Sequence, residues 1–274
     1  MTTTLNMVDS IDPEIRSAID DRAGEIAQGA SVDSRIAALL ALGSVPIALG
    51  ALAKDVYGQA PSDVLDVLQF ALLLEHLEAE FYTRGVAASG MIAAADLPLF
   101  TRIRDHEVVH VSALQGLITA KGATPAAKPN FDFTAKGNLP GFNFLTNQYE
   151  TFKALAQAFE DTGVRAYKGQ AGRLINDKPI LSAALSIHSV EARHAAAVRK
   201  LRGFKGWITS NSRNDLPAFT QGIYDGEQNV TQGTATITSL PDAANNGGVD
   251  AATEAFDEPL TKAQVTAIVT PFLA

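Results

Sequence analysis

The chain has 274 residues, 46% of them hydrophobic and 19% charged, so it can bury a sizeable core and is not a disordered chain. A net charge of −8 and a pI near 5.1 argue against nucleic acid as a partner, because phosphate binding needs clustered Lys and Arg. With no cysteine, disulfides, thiolate metal sites and iron–sulfur clusters are excluded.

In chain order, Asp12-Pro13-Glu14 starts a short amphipathic helix: a capping Asp, Pro at the first helical position, then an acidic residue at the positive helix end. That helix reaches about Gln28. Residues 36–53 carry no charge, yet the run is at the short limit for a membrane-spanning helix and Pro46 interrupts it. It resembles the apolar part of an export signal, with small residues near Gly58-Gln59-Ala60. Against export, it follows an acidic segment and has only Arg35 immediately before it. These flanks favour a retained, buried helical pair over membrane contact. They favour the cytoplasm over export to the periplasm or cell envelope.

Pro61-Ser62-Asp63 starts a helix that runs to about Gly85, with Leu, Val and Phe on nearly every face, so it is expected in the middle of the protein. Asp96-Leu97-Pro98 starts a second helix that ends at Gly122. Residues 123–145 are rich in Pro and Phe and have no helical period, which suits a long crossover between two hairpins. A third helix runs from about Thr146 to Gly172. The turn Asn176-Asp177-Lys178-Pro179 leads into a fourth, ending near Gly203. Beyond it Gly, Asn, Thr and Ser dominate, with short β-like pieces such as 234–238. Thr261-Lys262-Ala263-Gln264 has the form of a capping box and starts a terminal helix. The expected fold is all-α. A helical N-terminal extension covers 1–60, a four-helix bundle of two antiparallel hairpins covers 61–204, and a loop-rich wrap with a terminal helix covers 205–274.

The chemistry lies in a pattern written twice. Glu75 precedes Tyr82 by seven residues, and Glu160 precedes Tyr167 by seven. Seven residues is nearly two helical turns, so each Glu and Tyr share a face. Glu107 and His110 form a Glu-x-x-His pair after the first, and Glu191 and His194 form another after the second. About 0.2 such Glu-x-x-His matches would arise by chance in this composition, so two with matched upstream pairs are informative. Residue counts from the loops place the paired carboxylates of each hairpin at the same height.

Four Glu and two His converging inside a four-helix bundle are what a two-metal site requires. Glu75 and Glu160 are expected as terminal ligands and Glu107 and Glu191 as bridges, with His110 and His194 each binding one metal. The open coordination positions suit dioxygen or peroxide chemistry. Tyr82 and Tyr167 are expected to hydrogen-bond to the carboxylates or act as redox partners. Glu78, whose counterpart in the second half is Gly163, is expected to be a surface or supporting charge, as is Glu80. His76, His106 and His188 are as well explained by polar packing as by function.

This two-fold Glu, then Glu-x-x-His arrangement resembles the ferritin-like superfamily. The run LEHLEAEFY at 74–82, the Phe-rich crossover and the ending FDEPLTKAQVTAIV resemble more narrowly the bacterial ferritin-like domain proteins related to plant desiccation-related proteins. That resemblance spans roughly residues 60–274. It implies two iron or manganese ions per chain and oxidative chemistry, such as ferrous iron oxidation or peroxide removal in stress protection, and names no substrate. Lacking Cys, the chain has no built-in rubredoxin-type relay, so an enzyme of this kind would need an external electron donor. The alternative is a non-enzymatic, structural or self-assembling stress-related protein. Its metal site would be vestigial or structural, and its terminal extensions would form homo-oligomer contacts.

Overall fold

Two antiparallel helical hairpins joined by a long crossover form the body of the protein. This computed structural model describes residues 62–274 except Asp242. The helix expected at 12–28 and the apolar pair expected at 36–53 lie outside the described residues.

Helix α1 (Ser62–Ala87) packs along α2 (Leu97–Ala120), and α3 (Tyr149–Ala171) packs along α4 (Lys178–Leu201). As its sequence predicts, α1 is buried on most sides, with Leu72, Phe81 and Tyr82 fully enclosed. Asp177 caps α4, accepting from the Ile180 amide. Asp96 makes no side-chain cap at the start of α2. Its backbone is already helical, and its carboxylate accepts a hydrogen bond from the Tyr149 hydroxyl at 2.7 Å, tying the start of α2 to the start of α3.

The bundle core is divided in two. At the crossover end, Phe81 stacks on Phe152 at 4.6 Å between ring centroids and meets Phe159 and Tyr82 edge-on. Phe131, Phe133 and Phe142 of the crossover join that cluster. At the other end Val67, Leu68, Leu114, Leu117, Leu174 and Ile180 pack around Tyr167. Buried carboxylates and imidazoles lie between these two apolar layers. Among the described residues no helix is long and apolar enough to cross a membrane.

The wrap packs on its own bundle. It contains a minimal hairpin, β1 (Thr231–Gln232) with β2 (Ala235–Thr236), a short helix α5 (Gly248–Glu254) and the terminal helix α6 (Lys262–Val269). The expected capping box is formed by Thr261 and Gln264. Arg165 of α3, fully buried, pairs with Glu227 at 2.8 Å and donates to the backbone carbonyls of Ile223, Asp225 and Glu258. Asp161 of α3 accepts from Arg199 of α4 and from the Tyr224 hydroxyl, a second anchor. Phe272 meets Phe159 edge-on, and the Ala274 amide bonds to the Asn130 carbonyl in the crossover.

The closest approach of wrap to bundle is at Gly169, where an added Cβ would lie 1.8 Å from the Leu260 carbonyl oxygen. Backbone cannot yield there cheaply. Gly169→Ala is expected to cost about 3 kcal/mol by overpacking and to expose the segment after residue 255 to protease. Urea denaturation and limited proteolysis check this, and an unchanged midpoint would show that the wrap does not seat on α3 here.

Candidate metal centre

The four motif carboxylates Glu75, Glu107, Glu160 and Glu191 have no solvent exposure, and His110 and His194 are 7% and 5% exposed. All six side chains converge in the polar layer. One group joins Glu75, Glu107, His110 and Glu191, and a second joins Glu107, Glu160, Glu191 and His194. In each group the candidate ligand atoms lie within 4.8 Å of one another. Glu107 and Glu191 belong to both.

Helix geometry explains the convergence. In each Glu-x-x-His pair the side chains are three residues apart and leave the same side of α2 or α4. The single Glu of α1 and of α3 faces them from the opposite wall. His110 Nδ1 lies 3.2 Å from Glu75 Oε2, 3.0 Å from Glu107 Oε2 and 3.0 Å from Glu191 Oε1. His194 Nδ1 lies 2.9 Å from Glu107 Oε1, 3.4 Å from Glu160 Oε2 and 3.6 Å from Glu191 Oε2. A single Nδ1 proton cannot serve three acceptors. Accordingly Glu107 Oε1, Glu160 Oε2, both Glu191 oxygens and His194 Nδ1 are buried without an aligned hydrogen bond among the described residues. Ligand atoms side by side on an octahedral ion, each about 2.1 Å from it, lie about 3.0 Å apart. The donor set is therefore compatible with a metal site.

The tyrosines cross over. Tyr82 donates to Glu160 Oε1 at 2.5 Å, and Tyr167 donates to Glu75 Oε1. Each tyrosine lies seven residues after the Glu of its own helix but bonds to the Glu of the other. Only an antiparallel α1–α3 pair satisfies that reciprocal register. Each hydroxyl closes one end of the polar layer, and its ring belongs to the apolar layer beyond.

A family model for the ferritin-like domain matches residues 63–203, just over half of the chain. The chain belongs to the ferritin-like family. No curated protein matches it. The ferritin-like match covers α1 to α4 and all six motif residues and stops before the wrap. Kinship to the desiccation-related branch rests on the sequence resemblance alone.

Electrostatics in this ferritin-like centre push its acids apart. Burial, reinforced by the Glu191 charge, holds Glu107 well above the usual carboxylate range. Glu191 is buried too, but the adjacent His110 and His194 imidazoles pull it down to about 2. Burial raises Glu160 to about 7 despite the nearby His194. Burial opposes charge on His194, yet Glu160 and the other carboxylates push it up to about 12, and they raise His110 as well. Both imidazoles are therefore cationic at neutral pH when only protein groups occupy the layer. They neutralise part of the negative charge that two metal ions would otherwise neutralise.

Glu78 and His106 both reach the polar layer. Glu78 is no surface charge: it is 3% exposed, and burial together with Glu191, Glu160, Glu107 and Glu75 drives its pKa far up. Gly163 is the reason it fits. A Cβ there would lie 3.3 Å from Glu78 Oε1 and 3.7 Å from Glu191 Cγ. The glycine opposite Glu78, which argued against a role, is what makes room for it. Glu80, by contrast, is at the surface, paired with Arg84 and Lys128. His106 was also underrated: its Nδ1 lies 2.8 Å from His194 Nε2. A His at the residue before a ligand Glu was the available signal, too weak alone.

Removing a tyrosine hydroxyl leaves a buried carboxylate oxygen without its donor, a loss of about 1–3 kcal/mol. Tyr82→Phe and Tyr167→Phe are expected to lower stability by similar amounts in metal-free protein, measured by chemical denaturation. A neutral Tyr167→Phe would contradict the reciprocal arrangement.

Proposed function

We propose that this protein is a di-metal carboxylate protein that binds two iron or manganese ions per chain and performs oxidative chemistry, on peroxide or ferrous iron, in stress protection. The observation that carries the reading is the pair of overlapping donor groups sharing Glu107 and Glu191. In this reading Glu75, Glu160, His110 and His194 would each hold one ion, and Glu107 and Glu191, which belong to both groups, would be shared between the two. A bound iron or manganese pair supplies the electrons that reduce dioxygen or peroxide.

The chain's own groups have separable tasks. Tyr82 and Tyr167 orient the terminal carboxylates through their hydroxyl hydrogens. The Phe-rich layer at one end and the aliphatic layer at the other exclude water from the carboxylates. Burial among four other carboxylates raises the pKa of Glu78, which favours a proton on it beside Glu191. With no cysteine in the chain there is no built-in thiolate relay, so a cycle that reduces peroxide to water would need an external electron donor. Likeness to the desiccation-related branch supports placing this chemistry in stress protection.

Elemental analysis of protein purified without added metal is expected to find about two iron or manganese ions per chain. Glu107→Ala and Glu191→Ala should each abolish binding of both, because each carboxylate belongs to both groups. Metal-free wild-type protein that neither binds added iron or manganese nor gains stability from them would instead favour the structural alternative.

Metal uptake should also release protons. His110 and His194 hold protons at neutral pH because the surrounding carboxylates raise their pKa values, so a cation must displace one proton from each. Affinity should fall as pH falls from 8 to 6, with about two protons released per metal pair, read by calorimetry in buffers of different ionisation enthalpy. Uptake with no proton release would show that the imidazoles start neutral.

A further inference from the structure

The duplicated motif treats its two histidines unequally. His194 Nδ1 faces the carboxylates, while its Nε2 meets His106 Nδ1 at 2.8 Å. The two rings stack, with centroids 5.1 Å apart and planes 17° apart. His106 is exposed on α2 and reaches across to α4. The residue at the matching place in the second half is Val190, which can neither donate nor accept. Among the described residues, no protein group hydrogen-bonds to His110 Nε2.

An imidazole can offer a lone pair at Nδ1 only when its proton sits on Nε2, and that proton then needs an acceptor. His106 Nδ1 supplies one for His194. The bond selects the tautomer, pins the ring and makes Nδ1 a better ligand, effects that change metal affinity 10–100-fold. His110 has no equivalent support.

We propose that His106 is a positioning residue that makes the two ion positions inequivalent, a tightly held ion on the His194 side and an exchangeable one on the His110 side. This rests on the metal-binding reading and goes beyond it. It assigns a division of labour, one resident ion and one free to come and go, to a site whose ligand set is otherwise symmetric.

The test is a calorimetric titration of metal-free, full-length protein with manganese(II). Wild type should bind two ions in two resolved steps. His106→Ala, a change at an exposed helix position, should weaken the tighter step about 10–100-fold and leave the weaker one in place. His106→Asn, whose amide oxygen stands where Nδ1 stood, should recover most of the loss. Two ions binding with one affinity in wild type would overturn the proposal while leaving the metal reading intact. So would His106→Ala weakening both steps equally or neither. A wild-type protein that binds no manganese(II) and no iron(II) would remove the metal reading itself.

Discussion

Everything in this structure answers to one constraint: five carboxylates and two imidazoles are packed into a layer with almost no access to solvent. Each buried charge costs several kcal/mol unless it is paired, and removing one partner of such a pair typically costs about 3–5 kcal/mol. The protein meets the cost with two tyrosine hydroxyls, two protonated imidazoles and carboxyls at Glu78 and Glu107 whose pKa values burial raises. Several oxygens remain without aligned donors. A cluster arranged for apo stability alone would satisfy those atoms. Oxygens left without donors and facing common centres are compatible with a metal site.

The two apolar layers are what make the constraint workable. The Phe81–Phe152–Phe159 cluster and the Val67–Leu117–Ile180 cluster seal the polar layer from opposite ends, so the electrostatic interactions inside it are poorly screened. Tyr82 and Tyr167 sit on the two boundaries, each with its ring in an apolar layer and its hydroxyl in the polar one. The wrap adds to the same end through Phe272 against Phe159, while Arg165 and Asp161 fasten it to α3. In this arrangement the residues after the bundle stiffen the helix that carries Glu160.

Duplication makes the departures from symmetry informative. The Glu, Tyr, Glu and His positions recur in both halves, but Glu78 faces Gly163 and His106 has Val190 as its counterpart. The first pair follows from volume: a carboxylate from each helix would collide, so one side yields. The second pair gives the Nε2 of His194 a hydrogen-bond partner, while among the described residues the Nε2 of His110 has none. A symmetric scaffold is thereby given two different sides.

The sequence by itself determined the four helices, the long crossover and the six convergent residues. Helical period and the matched spacing of Glu, Tyr and His are local properties of an α-helix, and they survive whatever the chain packs against. Tertiary structure alone decided three other things. The tyrosines bond across to the opposite Glu because α1 and α3 run antiparallel, a relation no single-helix spacing contains. Asp96 accepts from the Tyr149 hydroxyl, 53 residues away in sequence, instead of capping α2. Glu78 is buried because Gly163, on another helix, leaves the space. Sequence order records which side chains share a helix face, but the space and partners available to each are set by the helix opposite.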